Sequence, residues 1–87
     1  LPGQDSSTIE DLLVSTVSNP RLSDYHRVGG IFAIRQLFEL YQVRRVDQDV
    51  RKRFIAKINR LRQRALGWKN QSVYLRMMMD SMMSMLN

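Results

Sequence analysis

The sequence predicts an all-α fold, a small four-helix domain, and three observations point to it. Apolar residues recur at spacings of three and four along most of the chain, as on one face of a helix. Capping residues, Gly and Pro separate these periodic segments, and no segment alternates convincingly as a half-buried strand does. Short connections favour a compact orthogonal or irregular bundle. We expect helices at approximately 7–18, 31–43, 47–66 and 72–86.

The first two segments differ in regularity. Ser7 and Glu10 are spaced as a capping box, and the residue before Pro20 avoids the helical region, so the first helix ends there. Ser23 or Asp24 is expected to cap a short turn near 24–28, which the glycines at 29–30 break. Residues 31–43 are apolar except for one narrow polar side, a pattern typical of a central helix packed on several neighbours.

The last two helices carry most of the unusual composition. Asp47 is the expected N-cap of the third helix and Gly67 its C′ residue. Asn70 or Ser72 is expected to start the fourth helix. This helix is apolar on almost every side and contains all six methionines, which suit either core packing or an interface. Its thin polar stripe consists of Arg76, Asp80, Ser81 and Ser84.

Length and composition indicate one domain over residues 1–87, which we expect to be a fragment of a longer protein. The chain lacks cysteine, which excludes disulfides and fits an intracellular site, cytoplasmic or nuclear. No apolar run approaches the ~20 residues that a membrane-spanning helix needs, so no membrane partner is expected. Residues 1–3 do not resemble a signal peptide.

Positive charge is concentrated in one segment. Residues 44–69 hold ten of the fourteen basic residues and only two acids, whereas residues 1–43 carry a net −2. Like charges four residues apart on a helix cost a few tenths of a kcal/mol per pair. Because this pattern costs stability, we interpret it as a partner-binding surface rather than a solvated face. On a helical wheel one flank collects four of these residues, and two more precede the helix; the candidate site residues are Arg53, Lys57, Arg60 and Arg64, with Arg44 and Arg45 beside them.

Three kinds of partner remain open. The first is an acidic protein segment, because arginine clusters capture carboxylates; one form of this hypothesis is a partner protein that is itself bound to nucleic acid. Direct, sequence-independent nucleic-acid binding is the first alternative. Stacking aromatics are sparse near the patch, since Phe54 is expected to point to the core and leaves Trp68 and Tyr74, whereas a single-strand binder normally shows more. The second alternative is self-association through the methionine-rich helix, with the charge incidental.

Catalysis, metal binding and cofactor binding have little support. His26 is the only imidazole, and consecutive residues such as those at 23–26 do not by themselves form a catalytic triad. One histidine and scattered carboxylates do not make a metal site. The glycines at 29–30 lack the surroundings of a phosphate-binding loop. We therefore expect a non-enzymatic module without a cofactor.

The arrangement of an irregular segment at 20–30, a central helix at 31–43 and a basic region at 44–64 resembles the C-terminal domain of rhabdovirus phosphoproteins, including plant-infecting ones. The resemblance covers the whole chain as an architecture and carries no motif that places a binding residue. It implies a polymerase cofactor module in viral RNA replication that docks onto a nucleoprotein–RNA template. In that family, basic residues meet acidic, flexible loops of the nucleoprotein.

Overall fold

The computed structural model describes residues 2–68 and 72–86, and the side chains from Ser7 onward. Within these ranges the chain forms four helices and no strand, which confirms the all-α class. Helix α1 packs against α2 and α3, and α2 also packs against α4. The molecule measures 38 × 24 × 19 Å. The helix bounds are α1 Pro2–Ser18, α2 Asp24–Val43, α3 Gln48–Ala65 and α4 Val73–Leu86.

Three helix starts follow from local capping. The Ser23 side chain accepts a hydrogen bond from the His26 amide at the start of α2, and the Asp47 carboxylate accepts one from the Asp49 amide at the start of α3. Ser72 does the same for the Leu75 amide at the start of α4. Each bond satisfies an amide that the first turn of a helix leaves unpaired. The predicted Asp47 cap is confirmed, while Asn70 lies outside the described residues.

The predicted capping box in α1 is wrong, because the helix begins at Pro2 and Ser7 lies inside it. Glu10 therefore sits in the middle of α1 rather than in its first turn. Its side chain is fully buried and turns away from the helix backbone toward α2 and α3. Glu10 thus matches a capping box only by its spacing from Ser7. In the structure it is a buried carboxylate that forms part of the site described below.

The predicted break at the two glycines is also wrong: α2 runs through them without interruption. Gly30 faces α1, and a Cβ atom there would lie 2.8 Å from Cγ2 of Val17, which is closer than packed atoms approach. Gly29 faces the other way, and a Cβ atom there would have no neighbour within 4 Å. Gly30 therefore allows α1 and α2 to approach closely, whereas Gly29 leaves an open surface.

This difference predicts opposite effects for two identical substitutions. Gly29→Ala should raise the free energy of unfolding by about 0.5–1 kcal/mol, since alanine lowers the backbone entropy of the unfolded chain and meets no atom. Gly30→Ala has the same entropic benefit, but its methyl group pushes against the stiff, buried side chain of Val17. Such overpacking costs about 1–3 kcal/mol. Urea denaturation at low protein concentration measures both. Equal effects of the two substitutions would contradict the close approach.

The core is apolar and includes part of α4. Met79 and Met82 are buried, and Met78, Met83 and Met85 are partly buried against the same cluster. The methionine-rich helix therefore serves mainly as core packing. Among its methionines only Met77 is exposed, at 62%, and Val73 and Tyr74 in the first turn of α4 are exposed as well. The polar stripe of α4 is exposed.

The central position predicted for α2 is only half right. Its inner side contributes seven buried residues, from Arg27 to Tyr41, between α1 and α4. Its outer side is not covered, although it carries apolar residues: Phe32 is 43% exposed, Leu40 44% and Val43 79%. The narrow polar stripe was correct, but the four helices do not supply a neighbour for every apolar side.

The turn between α2 and α3 places a basic residue in a conformation that glycine favours. Arg45 has φ 51°, and its amide donates to the Gln42 carbonyl while the Val46 amide donates to the Tyr41 carbonyl. This pair of bonds is the Schellman arrangement, in which the C′ residue is left-handed. Gly67, by contrast, follows α3 without a positive φ.

Candidate binding site

A buried carboxylate lies between α1, α2 and α3. Glu10 is completely shielded from solvent, and four polar atoms contact its two oxygens. Tyr41 donates from its hydroxyl at 2.6 Å, and Arg53 donates from Nη2 at 2.8 Å and from Nε at 3.2 Å. Lys57 donates from Nζ at 3.0 Å. The carboxylate thus joins three helices through charge-assisted hydrogen bonds, which are the stronger kind.

The contacts determine the charge of this cluster. Burial alone would raise the pKa of Glu10, but hydrogen bonds from Arg53, Tyr41 and Lys57, together with the positive charge of Lys57, outweigh burial and lower it below its ordinary value. The hydrogen bonds that Arg53 donates to Glu10 in turn raise the pKa of Arg53. Glu10 is therefore ionised at neutral pH, and it neutralises cations that face it.

Two of the predicted binding residues are consequently not free. The side chain of Arg53 is 35% exposed, and that of Lys57 only 12%. Lys57 also contacts Oδ1 of Asp11 at 2.8 Å and Oγ of Ser7 at 3.1 Å. The prediction that both head groups stand in solvent is wrong, because α1 brings two carboxylates against this part of α3.

The same flank of α3 changes character one turn further on. Helix α1 runs beside it, and the acids of α1 on this side end at Asp11; Ser15 and Ser18 come next. These serines share a groove of about 510 Å³ with Arg60 and Arg64. Both arginines are exposed, and neither side chain makes a hydrogen bond or an ion pair within the part of the chain that the structure describes. Asp11 and Lys57 also line this groove and pair with each other, whereas Arg60 and Arg64 form a cationic wall without a counterion among the described residues.

The other predicted residues lie elsewhere. Arg44 and Arg45 are exposed in the turn before α3, about three helical turns from Arg60. They therefore do not extend the groove but form a second basic region at the opposite end of α3. The outward side of α3 between these regions is mostly neutral, since it carries Lys52, Ala56, Asn59 and Gln63.

The tryptophan expected to be available for base stacking is already in contact with another side chain. Trp68 is partly buried, and the guanidinium carbon of Arg27 lies 4.3 Å from the centre of its ring. Arg27 is itself buried and donates from Nε to the Val17 carbonyl at 2.8 Å. The sequence did not single out Arg27, because nothing among its neighbours along the chain signals a contact with Val17, ten residues earlier, or with Trp68, after the end of α3.

The residue types that suggested catalysis make local contacts. Oγ of Ser23 lies 2.7 Å from Nδ1 of His26, and this spacing of three residues belongs to the cap of α2. His26 is exposed, as expected for a surface residue. In the described ranges no three His, Asp or Glu side chains come together as a metal site needs, and no helix is long and apolar enough to cross a membrane.

Comparison of the chain with protein-family models, with curated proteins and with solved structures finds no match. The groove between α1 and α3, with the contacts that surround it, is therefore the feature of this chain that points to a function.

Proposed function

We propose that the domain is a non-enzymatic protein-interaction module that binds an acidic segment of a partner in the groove between α1 and α3. Arg60 and Arg64 carry this proposal, because they form a wall of that groove and have no counterion among the described residues. Arginine binds carboxylates in bidentate fashion, and such charge-assisted bonds are worth about 1.5–3 kcal/mol each.

The shape of the site favours a protein segment over a nucleic acid. The arginines stand in a groove between two helices, where an extended or helical peptide fits. A single-stranded nucleic acid would also use stacking aromatics. Trp68 is covered by Arg27, and Tyr74 lies against α2 rather than in this groove. Direct nucleic-acid binding is the alternative outcome of the test below.

The resemblance to rhabdovirus phosphoproteins gives the proposal a specific form. In that form, the acidic segment is a nucleoprotein loop, and the domain attaches a polymerase cofactor to a nucleoprotein–RNA template. The same groove serves any acidic partner, so this version adds the identity of the partner and does not alter the chemistry of the site.

Charge reversal in the groove tests the proposal. Arg60→Glu with Arg64→Glu should weaken binding of a fluorescein-labelled ten-residue poly-glutamate peptide about tenfold or more, because two charge-assisted contacts become repulsive. The matched control, Arg44→Glu with Arg45→Glu, makes the same change in net charge outside the groove and should have a much smaller effect. Fluorescence anisotropy at low and high salt gives both affinities.

Two results separate the possibilities. Equal losses in the two double variants would mean that only net charge matters, and would overturn the groove as the site. Tight, salt-dependent binding of a ten-nucleotide RNA without peptide binding would favour the nucleic-acid alternative. Arg53→Glu is not a suitable probe, since it would place a second carboxylate against buried Glu10 and destabilise the fold.

A further inference from the structure

The outer side of α2 carries an apolar stripe that none of the described helices covers. Its residues follow spacings of four and three and fall within about 80° on the helical wheel, opposite the buried side. Tyr25 is 85% exposed, Val43 79%, Leu40 44% and Phe32 43%. The stripe consists of Tyr25, Gly29, Phe32, Gln36, Leu40 and Val43.

The two halves of the stripe have complementary shapes. In the N-terminal half, Gly29 lies at the floor of an apolar groove of about 420 Å³, which Tyr25, Phe32 and Tyr74 border. A Cβ atom placed on Gly29 would have no neighbouring atom within 4 Å, so the space above this residue is open. In the C-terminal half, Leu40 and Val43 project as aliphatic side chains. One half therefore offers a hollow, and the other half offers side chains of a size that fits it.

We propose that two copies of the domain pair antiparallel through this stripe, with Leu40 and Val43 of each copy packed in the groove around Gly29 of the other. A two-fold axis near position 34 brings Val43 opposite Tyr25 and Leu40 opposite Gly29, and it repeats both contacts. The pairing needs no residue of the groove between α1 and α3.

The available area suits a weak dimer. A fully covered aromatic side chain buries about 150–250 Å². Covering the open parts of the stripe and of Tyr74, which is 56% exposed, therefore removes on the order of 600 Å² of each copy from water. Specific complexes bury roughly 600–1,000 Å² per partner, so this interface lies at the small end of the range. We expect association at high micromolar concentrations rather than at nanomolar ones.

Sedimentation equilibrium from about 10 µM to 1 mM protein tests the dimer. The mass should rise from 10.3 kDa toward twice that value. Val43→Glu should weaken association about tenfold or more, because a charge would be buried in the interface. Ala56→Glu adds the same charge at an exposed position on the outward side of α3 and should leave association unchanged.

Gly29→Gln separates the interface from folding. Glutamine forms helices better than glycine and meets no atom at this position, so the variant should unfold at higher urea while dimerising more weakly. Cysteines introduced at 25 and 43 give a second measurement. Within one chain these positions lie about 27 Å apart along α2, far beyond the reach of a disulfide. Oxidation of the Tyr25→Cys, Val43→Cys double variant should therefore yield a covalent dimer.

The results that would overturn the proposal are equally specific. A mass of 10.3 kDa at every concentration would mean that the stripe does not pair. A dimer that survives both Val43→Glu and Gly29→Gln would place the interface on another surface. Failure of the double cysteine variant to cross-link, while the wild-type chain dimerises, would exclude the antiparallel arrangement.

Discussion

Replacing Glu10 by glutamine should destabilise the domain by about 3 kcal/mol. Removing one member of a buried ion pair costs about 3–5 kcal/mol, since the other member keeps its charge without a counterion. The lower end applies here, because Arg53 is partly exposed and Lys57 retains Asp11. A domain of this length has roughly 4–13 kcal/mol of total stability, so the loss is a large fraction. Urea denaturation or thermal melting measures it.

Glu39→Gln is the matched control for this substitution. Glu39 is an exposed carboxylate on α2 that makes no ion pair with any described residue, so the change in charge is identical and the buried contact is absent. Its effect should stay within about 0.5 kcal/mol. If the two variants unfold at the same urea concentration, the ion cluster contributes nothing to stability.

The cluster also predicts how stability depends on pH. The pKa of Glu10 is lowered on folding from its ordinary value of 4.5. A carboxyl group of this kind binds a proton more readily in the unfolded chain. Its contribution to the free energy of unfolding is therefore complete above about pH 4.5, and it is lost as the pH falls through the pKa that Glu10 has in the folded chain. The stability gap between the wild-type chain and Glu10→Gln should therefore narrow below pH 4.5. A gap that stays constant to lower pH would show that Glu10 does not titrate as its contacts imply.

The sequence predicted those features that depend on neighbours along the chain. The caps at Ser23, Asp47 and Ser72 were recognisable because each contact spans two or three residues. The wheel also placed Arg53, Lys57, Arg60 and Arg64 on one flank, and the structure brings three of them to the groove wall. Local periodicity was sufficient for the number of helices and for the sides of α3, but not for the first residues of α1 and α2.

Features that depend on tertiary contacts were not predictable in the same way. The contacts of Glu10 span 31 and 43 residues, and its position relative to Ser7 imitates a capping box. Two adjacent glycines predict a break equally well whether or not a neighbouring helix approaches one of them. The helix continues through Gly30, where α1 packs closely against it, and only the position of Val17 reveals this contact.

Replacing Arg27 by methionine should cost about 2–3 kcal/mol, the second large effect. The guanidinium group satisfies the buried carbonyl of Val17 near the end of α1, and an unsatisfied buried carbonyl costs about 1–3 kcal/mol. It also lies against the Trp68 ring, a cation–π contact worth about 1–2 kcal/mol when shielded from water. Methionine preserves the apolar stem and removes both contacts, together with the 3.8 Å ion pair between Arg27 and Asp24.

Trp68 is the only tryptophan, so its fluorescence reports this site directly. In Arg27→Met the emission should shift in the folded state, before any unfolding, because the ring loses the cation above it. Arg35→Met makes the same chemical change on α2 at a side chain without such contacts. It should leave the emission unchanged and should alter the free energy of unfolding by no more than about 0.5 kcal/mol. Arg27→Lys keeps a charge but lacks the planar group, so it should recover only part of the lost stability. If Arg27→Met leaves both the emission and the unfolding midpoint unchanged, Arg27 does not join the end of α1 to the segment after α3.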